Sequence, residues 1–329
     1  MSRLTALIVL LLLITGVWLG SFFVLPLSIP ADLAIYELKS GHSLKGIAKE
    51  LKQRHVLRDP YTFILVGKLL GLQKHVKAGS YEFKSDLTAF QLLQKISRGD
   101  SIDYEIKIID GMNFAQLKNE LINNPNLTHL MDKTTVSDIS QQLSLSHNSL
   151  EGVFYPDTYF FNRGDSDLKV LKRAKINMDT HLNALWQKRE PTALIASPYE
   201  ALILASLIEK ETALREEQPL IASVFFNRLK MGMRLQTDPT VIYGLGEHYL
   251  GKLHHQDLKK DNPYNTYTRK GLPPTPIAYP SKTAIEAVLH PQHTAYLYFV
   301  GKGDGSHYFS KTLAEHNQAV LQYQIHQPR

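Results

Sequence analysis

Four glutamates cluster at the end of an apolar segment, and one of them has surroundings suited to acid catalysis. Residues 198–216 are apolar on almost every side up to Ile208, which predicts a core helix. Projected at about 100° per residue, Glu209 lies beside small side chains that leave room for a ligand, whereas Glu211 has Arg215 one turn away. That pairing favours a charged Glu211, while a general acid must stay protonated near neutral pH. Glu209 is therefore the candidate acid/base, and a solvated helix end is the alternative.

Loops rich in short polar and aromatic side chains follow, and such loops can bind sugar hydroxyls and stack on sugar rings. Turn formation is an equally good explanation of these loops, because Asp238-Pro239 and Asn262-Pro263 are turn formers. An aromatic segment at 151–159 either lines the same groove or packs the start of a domain. The candidate substrate-binding residues are Gln236, Thr237, Asp238, Asn265, Thr266, Tyr267, Tyr155 and Tyr159.

Composition excludes several other kinds of site. The chain has no cysteine, which excludes disulfides, thiolate zinc sites and a cysteine nucleophile. Its histidines lack metal-binding spacing, so we expect no metal. The net charge of +6 comes from scattered Lys and Arg without a basic tract, which argues against nucleic acid and leaves a membrane surface or an acidic polymer.

The N-terminus predicts a membrane anchor. Residues 4–27 are almost wholly apolar and uncharged, long enough at about 1.5 Å per residue to cross a hydrocarbon core of roughly 30 Å. A cleaved signal peptide is the alternative, but its apolar region is shorter and ends at a small-residue site. Arg3 before the segment and Asp32 after it place the N-terminus in the cytoplasm and the rest across the membrane.

The exported part begins with two similar segments, each predicted as a strand, a glycine turn and a capped helix. Ser43 and Asn113 are the expected N-caps. A second helix, a strand at 79–83 and a third helix complete a small α+β module, which is either LysM-like or a generic βα unit. Longer helical patterns after Ser149 indicate a domain boundary there. We expect an α+β fold with an anchor at 1–30, the module at 31–100, a second small segment and hinge at 101–148, and a mixed helix-rich domain at 149–329.

The region from 150 onward resembles the MltG/YceG-type endolytic murein transglycosylases. The resemblance is carried by several blocks in the family's order: LEG and PDTY from 150 to 159, ASLIEKET at 205–212, NRL at 227–229, MRLQTDPTVIYG at 233–244, YNTY at 264–267, GLPP at 271–274 and YLYFV at 296–300. The anchor and the LysM-like module are also similar to that family's architecture. Residues 149–329 are accordingly expected to be the catalytic domain.

The resemblance implies a reaction and a set of partners. It places the catalytic glutamate at Glu209 and implies cleavage of the β-1,4 bond between N-acetylmuramic acid and N-acetylglucosamine within peptidoglycan strands, leaving 1,6-anhydro ends. One carboxyl would serve as acid and then base, so no cofactor is expected. The implied setting is the bacterial inner membrane, with the catalytic domain on the periplasmic or outer side, terminating or releasing nascent strands beside penicillin-binding synthases.

Two other functions stay open at this point. A hydrolytic muramidase would need a second acid, for which Asp157 and Asp238 are available. A wall-binding scaffold without turnover would use the LysM-like unit and the aromatic loops alone. Anhydro ends in the product exclude the first alternative, and loss of turnover on replacing the acid excludes the second.

Overall fold

A computed structural model describes residues 3–39 and 41–325 of the chain. The first two residues of the predicted cytoplasmic tip, the side chain of Arg3 and the last four residues of the predicted C-terminal domain lie outside the described part. The chain forms a mixed α+β structure of two compact units. The first comprises Met1–Tyr104 with Phe160–Gly164, and the second Glu105–Tyr159 with Asp165–Arg329.

The first unit contains a long apolar helix and a small α+β module. Helix α1 (Arg3–Val24) is long and apolar enough to cross a membrane by length and composition. It is followed by β1 (Ile35–Leu38), α2 (Leu44–Gln53), α3 (Pro60–Leu69), β2 (Gly79–Glu82) and α4 (Ala89–Arg98). Strands β1 and β2 pair antiparallel with Tyr36 opposite Tyr81. The module is thus a β-α-α-β unit with a further helix.

Local sequence signals explain where the helices of this unit begin. The predicted N-cap Ser43 is confirmed, since its side chain accepts a hydrogen bond from the backbone N–H of Gly46. Thr88 caps α4 in a reciprocal capping box with Gln91. The inner faces meet in one core, whose fully buried members include Ile47, Leu51, Phe63, Tyr81, Leu92, Leu93 and Ile96.

The second unit is mainly helical. Two strands begin or end in the first unit: β3 (Tyr104–Ile108) starts at its residue Tyr104, and β4 (Asp157–Phe161) ends in its segment 160–164. The other elements are α5 (Phe114–Ile122), α6 (Val136–Gln142), α7 (Asp167–Trp186), α8 (Pro198–Glu211), α9 (Gln218–Lys230), α10 (Asp238–Leu245), α11 (His255–Lys259), α12 (Lys282–Leu289), β5 (Tyr298–Gly301), β6 (His307–Ser310) and α13 (Leu313–Val320). β3 pairs with β4, and β5 pairs antiparallel with β6. Residues 105–148 belong to the same compact unit as the helical region. The domain boundary that the sequence suggests near Ser149 stays a prediction.

Helix α8 lies at the centre of this unit. It packs against α7, α9, α10 and α12, and its apolar residues from Ala201 to Ile208 are all buried, as the sequence predicted. Ser197 caps its start by accepting from the N–H of Glu200. The helix ends at Glu211 rather than at Glu216, because Thr212 is extended and its hydroxyl accepts from the N–H of Leu214.

Candidate active site

The last turn of α8 points its two glutamates in different directions. Glu209 and Glu211 are two residues apart, so their side chains project about 200° apart around the helix. Three of the four small residues expected beside Glu209 are buried, namely Ala205, Ser206 and Thr212, the last of which lies beyond the helix, whereas Ala213 is exposed. The Ser206 hydroxyl accepts from the N–H of Ile277 at 3.0 Å.

Glu209 is bound to the start of α12. Its Oε2 accepts the backbone N–H of Ser281 at 3.1 Å and the Ser281 hydroxyl at 2.5 Å, and Ser281 is the N-cap of that helix. Burial raises the pKa of Glu209, the two bonds from Ser281 oppose that shift, and the nearby Asp110 carboxylate adds to it. This half-buried acid therefore accepts both of these hydrogen bonds from the residue that caps α12.

The ion pair expected between Glu211 and Arg215 does not form. With the helix broken at Thr212, Arg215 lies nearest the carboxylate of Asp110, at 3.9 Å. The expectation that pairing with Arg215 favours the charged form of Glu211 is therefore wrong.

Glu211 has the titration behaviour that acid catalysis requires. Burial raises the pKa of its carboxyl from 4.5 to about 7, although a hydrogen bond from the Thr237 hydroxyl favours the charged form. The negative charge of Asp238 raises the pKa further, and Arg228 lowers it. A pKa raised in this way lets the carboxyl hold its proton closer to neutral pH than an exposed glutamate does, which suits a group that gives and takes a proton.

The Glu211 carboxyl faces a cleft of about 460 Å³, which we call the Glu211 cleft. Gln236, Asp238 and Tyr267, three of the predicted substrate-binding residues, line it, and the Tyr267 hydroxyl donates to Asp238 Oδ1 at 2.5 Å. Aromatic side chains from the C-terminal hairpin and α13 complete the wall: Tyr298, Phe299, His307 and His316. Among the described residues that line this cleft, Glu209 does not occur.

Arg228 holds the cleft walls together, a role that sequence reasoning missed. Its guanidinium is buried and donates to the backbone carbonyls of Leu297 at 2.7 Å and Leu235 at 2.8 Å. The same group lies over the Tyr298 ring at 5.2 Å from its centroid. One side chain thus joins α9 to the loop carrying Gln236 and to β5. A buried arginine has no local sequence signal beyond its place in a motif.

Three of the predicted binding residues are buried in loop contacts. The Thr266 hydroxyl accepts from the N–H of Thr237 at 3.0 Å, so the two loops that carry Gln236 and Tyr267 are joined. The Asn265 amide donates to the carbonyls of Lys260 at 2.8 Å and Leu258 at 3.1 Å. Thr237, Asn265 and Thr266 therefore position the cleft residues.

The predicted tyrosines of the 151–159 segment lie elsewhere. Tyr159 is 2% exposed, and its hydroxyl donates to the carbonyl of Tyr155 at 2.7 Å. Tyr155 stacks on His181 with ring centroids 4.2 Å apart. The structure does not bring either side chain to the Glu211 cleft. Asp157, the other candidate second acid, is exposed and also lies outside that cleft.

Another carboxyl with a raised pKa, Glu151, lines a second cleft of about 870 Å³. Glu151 is buried, and it accepts hydrogen bonds from the Tyr243 hydroxyl at 3.0 Å and from the N–H of Phe114 at 2.9 Å. Burial raises its pKa to about 7 against the effect of both bonds. Glu151 thereby ties the start of α5 to α10. Within the described residues, no cluster of three metal-ligating side chains occurs.

Comparison with known proteins gives consistent matches. A model of the YceG-like family matches residues 36–322. The endolytic murein transglycosylase of Bacillus subtilis (strain 168) is 34% identical, over 87% of this chain and 83% of its own length. That of Streptococcus pneumoniae serotype 2 is 25% identical over 96% of this chain, which spans 64% of that relative. A crystal structure of a YceG-like protein from Listeria monocytogenes, 30% identical, superposes with a TM-score of 0.55 over 86% of this chain and 98% of that one.

Proposed function

Because this chain belongs to the YceG-like family, we propose that it is an endolytic murein transglycosylase, a lytic enzyme that cleaves peptidoglycan strands internally. Its relatives of that name support the activity and the substrate. The bond cleaved is the β-1,4 link between N-acetylmuramic acid and N-acetylglucosamine, and the product carries a 1,6-anhydro end. A polar cleft with aromatic walls, open to solvent beside a titrating carboxyl, suits such a strand.

The acid/base in this proposal is Glu211 rather than Glu209. The observation that carries the assignment is that Glu211, with a pKa of about 7, lines the same cleft as Gln236, Asp238 and Tyr267. Glu209 also has a raised pKa, but its carboxyl is bound to Ser281 at the cap of α12. Glu209 remains the competing candidate. The two assignments make opposite predictions about which glutamate-to-glutamine substitution abolishes cleavage.

The reaction needs one carboxyl used twice. Protonated Glu211 gives its proton to the glycosidic oxygen as the bond to C1 breaks, so that the N-acetylglucosamine side leaves with a hydroxyl. The resulting carboxylate then accepts the proton of the muramic C6 hydroxyl, whose oxygen bonds to C1 and closes the anhydro ring. The carboxyl ends protonated, and no water is consumed.

A hydrolytic muramidase is the second candidate, favoured by the position of Asp238. That carboxylate shares the cleft with Glu211 and is held by the Tyr267 hydroxyl, so it could activate a water or stabilise a cationic sugar. The products differ by one water at the reducing end, which mass analysis distinguishes.

The setting follows from the first unit. Helix α1 is proposed as a single-pass anchor in the inner membrane with the N-terminus in the cytoplasm and the catalytic unit outside. The β-α-α-β order with its antiparallel strands supports a LysM-like module that binds glycan. Release of nascent strands beside penicillin-binding synthases is the proposed role.

Digestion of purified sacculi by the full chain tests the proposal. Wild-type protein is expected to release muropeptides with anhydro ends, Glu211→Gln to lose at least about 100-fold in rate, and Glu209→Gln to keep most of it. The reverse order of the two variants assigns the acid to Glu209. Hydrated ends indicate a muramidase, and identical release by wild type and both variants indicates a scaffold without turnover. Circular dichroism of each variant controls for folding.

A further inference from the structure

The membrane-spanning helix enters the module without a linker. Phe22 of α1 is buried in the module core, with its ring edge-on to Phe63 of α3 and centroids 6.3 Å apart. Phe23 contacts Phe90 of α4 at 4.9 Å. The N–H of Leu27 donates to the carbonyl of Leu87 at 2.8 Å. Helix and module therefore form one packed body.

This packing leaves a short free span. With Phe22 in the module core, residues 5–21 remain to cross the bilayer, and 17 residues cover about 26 Å at about 1.5 Å each. A hydrocarbon core of roughly 30 Å is slightly thicker, and local thinning of the bilayer accommodates such a mismatch, which leaves little distance between the module and the bilayer surface. Trp18, a residue type that prefers the membrane interface, shares a small cleft with Arg58, Asp59 and Thr62 at the start of α3. The beginning of α3 thus lies beside the C-terminal end of α1.

The outer face of α3 is mostly apolar and exposed. Tyr61, Leu65 and Leu69 follow at i, i+4 and i+8 and are 78%, 50% and 76% exposed, and Leu70 beyond them is 54% exposed. The inner face, with Phe63 and Val66, packs into the core. The exposed side chains of α3 are thus mostly apolar, with Lys68 among them, and an exposed face of this kind marks an interaction site.

We propose that the outer face of α3, formed by Tyr61, Leu65 and Leu69, docks into a phospholipid bilayer beside the anchor. The occupant is lipid because α3 packs directly beside α1, the proposed anchor: Phe22 contacts Phe63, and Trp18 shares a cleft with Thr62. Exposed Lys68 on α3 and Lys74 just beyond it suit anionic headgroups. This inference rests on the proposed anchor and is independent of the catalytic assignment.

Fluorescent labels on single cysteines test the docking, since the chain has no cysteine of its own. The full chain is reconstituted into vesicles of phosphatidylethanolamine and phosphatidylglycerol, with an environment-sensitive dye on Leu65→Cys or Leu69→Cys. Lys49→Cys on the exposed side of α2 is the matched control, and Leu11→Cys within α1 reports the anchor. Nitroxide-bearing lipids and aqueous iodide are the two quenchers.

Docking predicts severalfold stronger lipid-nitroxide quenching at Leu65 and Leu69 than at Lys49, with iodide quenching reduced by a similar factor. Labels at 65 and 69 that respond like the label at 49 overturn the inference. Labels shielded from iodide but insensitive to lipid nitroxides also overturn it, because they indicate a protein partner or a second copy. Absence of lipid quenching at Leu11 overturns the proposed anchor and the docking with it. The sacculus digestion tests the catalytic activity separately.

Discussion

Replacing Glu151 by Gln should change the pH dependence of stability by an amount set by burial. Burial raises the pKa of Glu151 from 4.5 to about 7, so the folded state binds more protons than the unfolded state between those values. The stability due to protonated Glu151 is therefore full below pH 4.5 and is lost as the pH rises through 7. At about 1.4 kcal/mol per pKa unit, the ionisation penalty approaches about 3 kcal/mol at pH 8 and is below about 1 kcal/mol at pH 5.

Gln does not ionise, so Glu151→Gln should stabilise the second unit by about 2 kcal/mol more at pH 8 than at pH 5, relative to wild type. Urea unfolding of the detergent-solubilised chain, followed by the fluorescence of Trp186, measures both differences. The exposed Glu216→Gln is the control for removing a negative charge, and it should show no such dependence. Equal differences for Glu151→Gln at the two pH values would refute the reasoning.

Three further predictions concern the cleft and its supports. If Glu211 must be protonated to act, the turnover rate on sacculi should fall about tenfold per pH unit above its pKa of about 7; a flat profile to pH 9 contradicts this. Arg228→Lys should lower the free energy of unfolding by about 2 kcal/mol and reduce turnover, because an ammonium cannot reach carbonyls on both loops; urea midpoints near wild type count against the clamp. Ser281→Ala removes the cap of α12 and should lower the free energy of unfolding by about 1 kcal/mol. The variant should retain most of its turnover on sacculi. A large loss of turnover in the folded variant would support Glu209 as the acid, because Ser281 binds Glu209.

Local signals predicted the elements that local physics determines. N-cap side chains at Ser43 and Asn113 lie where expected, and the apolar faces of the helices they open are buried. The all-round apolar pattern of α8 correctly indicated a core helix. In each case the sequence carries both the cap and the periodicity, so no distant residue is needed to place the element.

The ranking of the two glutamates depended on contacts distant in sequence. The projection assumed that α8 continues to residue 216, but the turn at Thr212 removes Arg215 from Glu211 and places it near Asp110. Burial raises the pKa of Glu211, and the hydrogen bond from Thr237 opposes that shift; both depend on contacts between residues far apart in the chain, which sequence spacing does not reveal. The sequence predicted that Gln236, Asp238 and Tyr267 belong to one binding site, and the three side chains line one cleft. Tyr159 was predicted for the same site, but it is buried outside that cleft.

The backbone conformation of Gln236 is unfavourable, and other contacts in the cleft must stabilise it. Its φ of 51° lies in the left-handed region, which disfavours side chains other than glycine by about 1 kcal/mol or more. The backbone is held there because its N–H donates to the Thr266 carbonyl and its neighbour Leu235 is bound by Arg228. The exposed Gln236 amide is thus displayed to the cleft on a strained support. If these contacts were lost, the loop would relax and the Gln236 amide would leave its position in the cleft. The buried Thr237 and Thr266 and the Arg228 guanidinium therefore keep the cleft preorganised before a glycan strand binds.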